Sequence, residues 1–104
     1  MNRIELILQM LNDDPHDPFL HYGLAMEYLA IQDNAKALEK FQFVYDNFPH
    51  YLPVYYQLGK CLEANQQHQQ AENIYRQGVD LAKQLNETKT LNELNEALFL
   101  LSDE

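Results

Sequence analysis

The chain has little of what several protein classes require. Among its 104 residues there is one cysteine, Cys61, and no tryptophan. An internal disulfide is excluded, and so is a four-ligand cysteine metal site. Three glycines and four prolines are too few for a turn-rich β fold, while abundant Ala, Leu, Gln and Glu favour helix. Basic residues are scarce: Lys and Arg total 7 against 16 Asp and Glu, a net charge of −9. Nucleic acid binding needs clustered cations, so no nucleic acid partner is expected, and an anionic membrane surface is disfavoured. No run approaches the ~18 apolar residues of a membrane span. The opening stretch to Leu11 interrupts its apolar residues with Glu5 and Gln9, unlike a secretory signal. A cytoplasmic protein is the expectation.

Reactive constellations are equally sparse. His16, His21, His50 and His68 have no metal-ligand spacing, and Ser102 is the lone serine. Asp13, Asp14, His16 and Asp17 read as a solvated loop with a capping carboxylate rather than a cation site. Cys61 reads as a buried small hydrophobe, and Asn65 to Gln70 as an exposed polar turn. No catalytic residue, metal or cofactor is expected.

Against these absences stands a strong helical periodicity. Pro15, Pro18, Pro49 and Pro53 mark helix boundaries, since Pro inside a helix costs about 3 kcal/mol. Between them apolar residues recur at helical spacing in six segments. They run Ile4, Ile7, Leu8, Leu11; Leu20, Leu24, Tyr28, Ile31; Ala37, Leu38, Phe41, Val44, Tyr45, Phe48; Val54, Tyr55, Leu58, Leu62; Ala71, Ile74, Tyr75, Val79; and Leu91, Leu94, Leu98, Leu101. Asp17 before Pro18, and Asp33 before Asn34, suit helix caps. Thr90 and Glu93 have capping-box spacing for the last helix.

A shift of 34 residues lays the chain on itself. Tyr22, Leu24, Ala30, Gln32, Ala37 and Asp46 meet Tyr56, Leu58, Ala64, Gln66, Ala71 and Asp80. Ile7, Phe41 and Tyr75 fall in one register, as do Leu11, Tyr45 and Val79, and Pro15 with Pro49. The pattern Tyr55-x-x-Leu58-Gly59-x-x-Leu62, then Ala71, Tyr75 and Gly78, resembles the tetratricopeptide repeat. The preceding copy reads His21-x-x-Leu24-Ala25-x-x-Tyr28, then Ala37, Phe41, Val44 and Pro49. Spacing to Ala37 puts Ala25, not Gly23, at the small position; Lys83 stands where the family closes on proline.

The resemblance implies an all-α fold, a short right-handed α-solenoid of antiparallel helix pairs with about six helices. Residues 1–104 are then one domain. Residues 1–14 are a lone second helix, 18–51 and 52–85 full repeats, and 87–102 a capping helix with Asn92, Glu93, Asn95 and Glu96 as its polar end. It also implies a non-catalytic protein-interaction module, an adaptor or scaffold whose first helices line a concave groove. The matching positions here are Phe19, Tyr22, Met26 and Leu29 in one repeat and Tyr56, Lys60 and Glu63 in the next. These are the expected partner-binding residues, and an apolar or basic protein or peptide the expected partner. Family members that clamp the carboxylate tail of chaperones use Lys, Asn and Arg there. Tyr22, Met26, Tyr56 and Lys60 leave one matching cation, so that specialisation is not expected. The alternative is a homo-oligomer covering its own apolar surfaces, with Leu6 and Met10 as the twofold contact.

Overall fold

The computed structural model describes residues 2–102, and among them the chain forms six helices and no strand. They are α1 (Arg3–Asp13), α2 (Pro18–Ala30), α3 (Asn34–Asn47), α4 (Pro53–Ala64), α5 (His68–Leu85) and α6 (Thr88–Ser102). The chain forms two compact units, Met1–Tyr51 and Leu52–Glu104.

In the first unit each helix start has a side-chain cap. Asn2 Oδ1 accepts from Glu5 N–H at 2.8 Å, Asp17 Oδ1 from Phe19 N–H at 2.9 Å, and Asp33 Oδ1 from Lys36 N–H at 3.3 Å. Pro18 follows its cap at the first helical position, where the missing N–H has no intrahelical partner to lose. α1 packs on α2 through Ile4, Ile7 and Leu11, which meet Leu20, Leu24 and Tyr28. Arg3 Nε adds an ion pair to Glu27 at 3.0 Å. The expected α1 stripe is narrower than its sequence suggests. Leu8 lies at its flank and is exposed, as are Leu6 and Met10. Ile31 is exposed too, because α2 stops at Ala30 and Ile31 belongs to the turn.

Between α2 and α3 the small side chains Ala25 and Ala37 are fully buried, with Leu24, Phe41 and Val44 around them. Gly23 is not the close contact. A Cβ there would sit 3.9 Å from Ile7 Cδ1, an ordinary distance. His21 fills the first large position and is buried. Its Nε2 donates to the Pro15 carbonyl at 2.7 Å, which leaves Nδ1 to accept from Lys40 Nζ at 3.1 Å. Phe43 and Phe48 flank the ring at centroid distances of 4.7 and 6.0 Å.

The second unit repeats the design with tighter contacts. Gly59 of α4 faces the Tyr75 ring of α5 so closely that any side chain would overlap it. At Gly78 a Cβ would come within 2.7 Å of Tyr55 Cβ and 2.9 Å of Leu94 Cδ1, so that glycine admits both α4 and α6. Cys61, expected to be buried, is half-buried, and burial raises its thiol pKa.

The two hairpin turns are the same structure. Gln32 and Gln66, 34 positions apart, both adopt left-handed backbone at φ 63°. Asp33 N–H donates to Tyr28 O, and Gln67 N–H to Leu62 O. Asn86, at φ 57°, ends α5 in the same way, with Glu87 N–H on Ala82 O. That closure fixes the start of α6 earlier than the capping-box spacing implies. Leu91 N–H donates to Glu87 O, and Thr90 lies inside the first turn rather than at the cap.

Candidate functional site

No three His, Cys, Asp or Glu side chains among the described residues gather as a metal site. Among the same residues no helix is long and apolar enough to cross a membrane. The surfaces with chemical content are helix faces, one in each unit.

On α2, Phe19, Tyr22, Met26 and Leu29 are spaced at intervals of three and four residues and share one face. Phe19 is 65 % exposed, while Tyr22, Met26 and Leu29 are half-buried. Tyr22 is set by its neighbours, with ring centroids 5.7 Å from Phe41 and 5.4 Å from Tyr51. Burial, then the nearby Asp17 carboxylate, raises the Tyr51 phenol pKa. A cleft in this unit, about 280 Å³, is lined by Tyr28, Lys36, Glu39, Lys40 and Phe43. Lys36 sits over Tyr28 at 5.6 Å and Lys40 over Phe43 at 4.4 Å. Burial lowers the Lys40 ammonium pKa, with Glu39 opposing.

On α4, Tyr56, Lys60 and Glu63 follow at i, i+4 and i+7. Lys60 is exposed, with its ammonium 5.8 Å from the Tyr56 ring centroid. Glu63 is half-buried and accepts a short hydrogen bond from Tyr75 Oη. Burial, then that hydrogen bond and the carboxylate's charge, holds the Tyr75 phenol far above its usual range. Glu63 therefore anchors α5 as well as facing outward.

The sequence missed a wall. Tyr56 and Lys60 form one side of a cleft of about 260 Å³ whose other side is Glu93, Glu96, Ala97 and Leu100 of α6. The sequence reading placed those glutamates at a polar end of the chain. Their i, i+3 spacing, continued by Leu100, was the available signal. Another depression, about 570 Å³ at the start of α5, is lined by polar residues from Gln66 to Arg76.

Comparison with known proteins follows the same lines. The tetratricopeptide repeat family profile matches residues 28–87. A tetratricopeptide repeat domain protein from Salinibacter ruber is 34 % identical. Its solution structure covers 84 % of this chain and 88 % of its own at a TM-score of 0.78. Its crystal structure covers 83 % and 97 % at 0.80. The TPR2B domain of yeast Sti1, in complex with pHsp70, shares the fold at a TM-score of 0.86 and 12 % identity, over 96 % of this chain and 80 % of that one. The first TPR of Spaghetti, bound to an HSP90 peptide, gives 0.70 at 22 % identity, over 91 % and 76 %. No curated protein sequence gives a significant match.

Proposed function

The chain belongs to the tetratricopeptide repeat family, and from that premise we propose that it is a non-catalytic protein-interaction module, an adaptor or scaffold. Phe19, Tyr22, Met26 and Leu29 on α2 and Tyr56, Lys60 and Glu63 on α4 contact its partner. The observation that carries this reading is the exposed apolar and aromatic content of α2, above all Phe19 at 65 % exposure. Large apolar side chains left in water on one face mark contact surfaces, and Tyr and Phe are enriched in their cores. Peptide-bound relatives of the same fold support the class of function.

The partner is an apolar or basic segment. The chain carries −9, and its α2 and α4 faces hold a single cation, Lys60. An acidic chaperone tail would meet Tyr22, Met26 and Tyr56 where a carboxylate needs cations.

Selection from a displayed library of random peptides tests this. The account expects enrichment of apolar and basic residues. It also expects at least tenfold weaker binding of the selected peptides to the Tyr22→Ala, Tyr56→Ala double variant. Equal binding by that variant rejects the assignment of these faces. The competing reading is a second copy covering exposed Leu6 and Met10. A dimer in sedimentation that is lost in Leu6→Glu, Met10→Glu is the result that reading requires.

A further inference from the structure

We infer that the cleft between α4 and α6 recognises an arginine side chain followed by a large apolar residue, presented by a partner peptide. The inference rests on the peptide-binding reading above and names the chemistry of one part of that surface.

Four observations converge on the cleft. It is lined by Tyr56, Lys60, Glu93, Glu96, Ala97 and Leu100, so an aromatic face, two carboxylates and an aliphatic floor meet in about 260 Å³. Glu93 and Glu96 stand three residues apart on α6, about 5–6 Å between Cβ atoms, and both are exposed. Leu100 is 55 % exposed, next to Phe99 at 69 %, on a helix that buries only Leu94 and Ala97. The Tyr56 ring already attracts a cation, since Lys60 Nζ lies over it at 5.8 Å.

Charge complementarity selects the occupant. With 16 acidic residues against 7 basic ones the whole chain draws cations, and this cleft sets two carboxylates against the one ammonium of Lys60 beside an aromatic ring. A guanidinium fits better than an ammonium. It is planar, stacks on a ring, and has enough donors in one fork for two carboxylates. Lys60 then moves to the rim. The adjoining partner residue covers Leu100 and Ala97, which explains why a large aliphatic side chain is left in water there. An acidic peptide meets Glu93 and Glu96 and is repelled.

The probe is a fluorescein-labelled, end-blocked peptide of alternating arginine and leucine, titrated by anisotropy at 50 and 300 mM salt. The expected result is saturable binding at low salt that weakens at high salt. Binding falls at least tenfold in Glu93→Gln, Glu96→Gln and several-fold in Leu100→Ala. Replacing arginine by lysine in the peptide weakens it several-fold, and replacing it by glutamate abolishes binding. Asp80→Asn, Glu39→Gln removes the same charge elsewhere and leaves affinity within twofold. Circular dichroism melts confirm that each variant is folded. Absent binding to the native chain overturns the inference, as does equal loss in the two charge-matched variants. If this peptide fails while display-selected peptides still depend on Tyr22 and Tyr56, the cleft assignment falls and the interaction reading stands. If the selected peptides ignore Tyr22 and Tyr56, the broader reading falls.

Discussion

At the residue scale the fold depends on a few side chains too small to notice in a composition. Gly59 and Gly23 differ in consequence, as their different places in the 34-residue register imply. Gly59 faces the Tyr75 ring with no room for a methyl group, while a Cβ at Gly23 meets only Ile7 at 3.9 Å. Gly59→Ala is expected to lose about 1–3 kcal/mol through overpacking. Gly23→Ala is expected to gain up to about 1 kcal/mol from helix propensity. Urea midpoints read both, and a Gly59→Ala protein as stable as the native chain removes the close contact from the account.

Tyr75 carries a second consequence. Its hydroxyl donates to Glu63, and its pKa in the fold lies above the unfolded value. Between those two values the native state keeps a proton that the unfolded chain has released. The stabilisation is therefore complete below about pH 10, the unfolded tyrosine value, and declines as pH rises beyond it. Tyr51 has the same sign, and Lys40, whose pKa is lowered, the opposite one. Tyr75→Phe should lose about 1 kcal/mol at pH 7. It should also show a shallower fall in denaturant midpoint between pH 9 and 11. An unchanged alkaline slope contradicts the Tyr75 assignment.

At the scale of elements the repeat shows in backbone as well as in sequence. Gln32 and Gln66 pair in the 34-residue register and take the same left-handed φ of 63°. A side chain in that region costs roughly 1 kcal/mol or more, and glycine is the usual residue after a helix end. Gln32→Gly and Gln66→Gly should each raise stability by about 0.5–1 kcal/mol, and by similar amounts because the turns are equivalent. Thermal melts check this, and destabilisation in either variant means that its glutamine contributes something beyond the turn.

Much of the element structure was legible because small and large residues alternate at helical period. Ala25, Ala37, Gly59 and Ala71 announced where helices cross, and prolines announced where they begin. What starts α6 was less legible than where it starts. The expected bound of 87 lies next to Thr88, but the start depends on Asn86 closing the end of α5, while Thr90 and Glu93 offered a plausible but unused cap. The inward or outward fate of Leu8 was also hidden, since α1 packs along a stripe only three residues wide, Ile4, Ile7 and Leu11. For the candidate site, spacing and family resemblance gave the α2 and α4 faces. The Glu63–Tyr75 bond joins residues twelve apart and exists only once the hairpin closes. The α6 wall was masked because its residues depart from the 34-residue register.

At the scale of the molecule, charge and exposed surface select a class of partner. The acidic excess is spread over both units: by count, Met1–Tyr51 carries three basic and eight acidic residues and Leu52–Glu104 four and eight. On the proposed reading both units therefore favour basic segments over polyanions. In the proposed function, exposed Phe19 together with half-buried Tyr22 and Tyr56 would supply the apolar contact that charge alone lacks.

The most direct test of this account is a two-dimensional nitrogen–proton NMR titration of the labelled chain with a display-selected peptide. The account predicts that the largest amide shifts fall on Phe19, Tyr22, Met26, Leu29, Tyr56, Lys60 and Glu63. Shifts concentrated instead on the exposed residues Glu39 and Asp46 of α3 or Arg76 and Asp80 of α5, with the α2 and α4 faces silent, would contradict it.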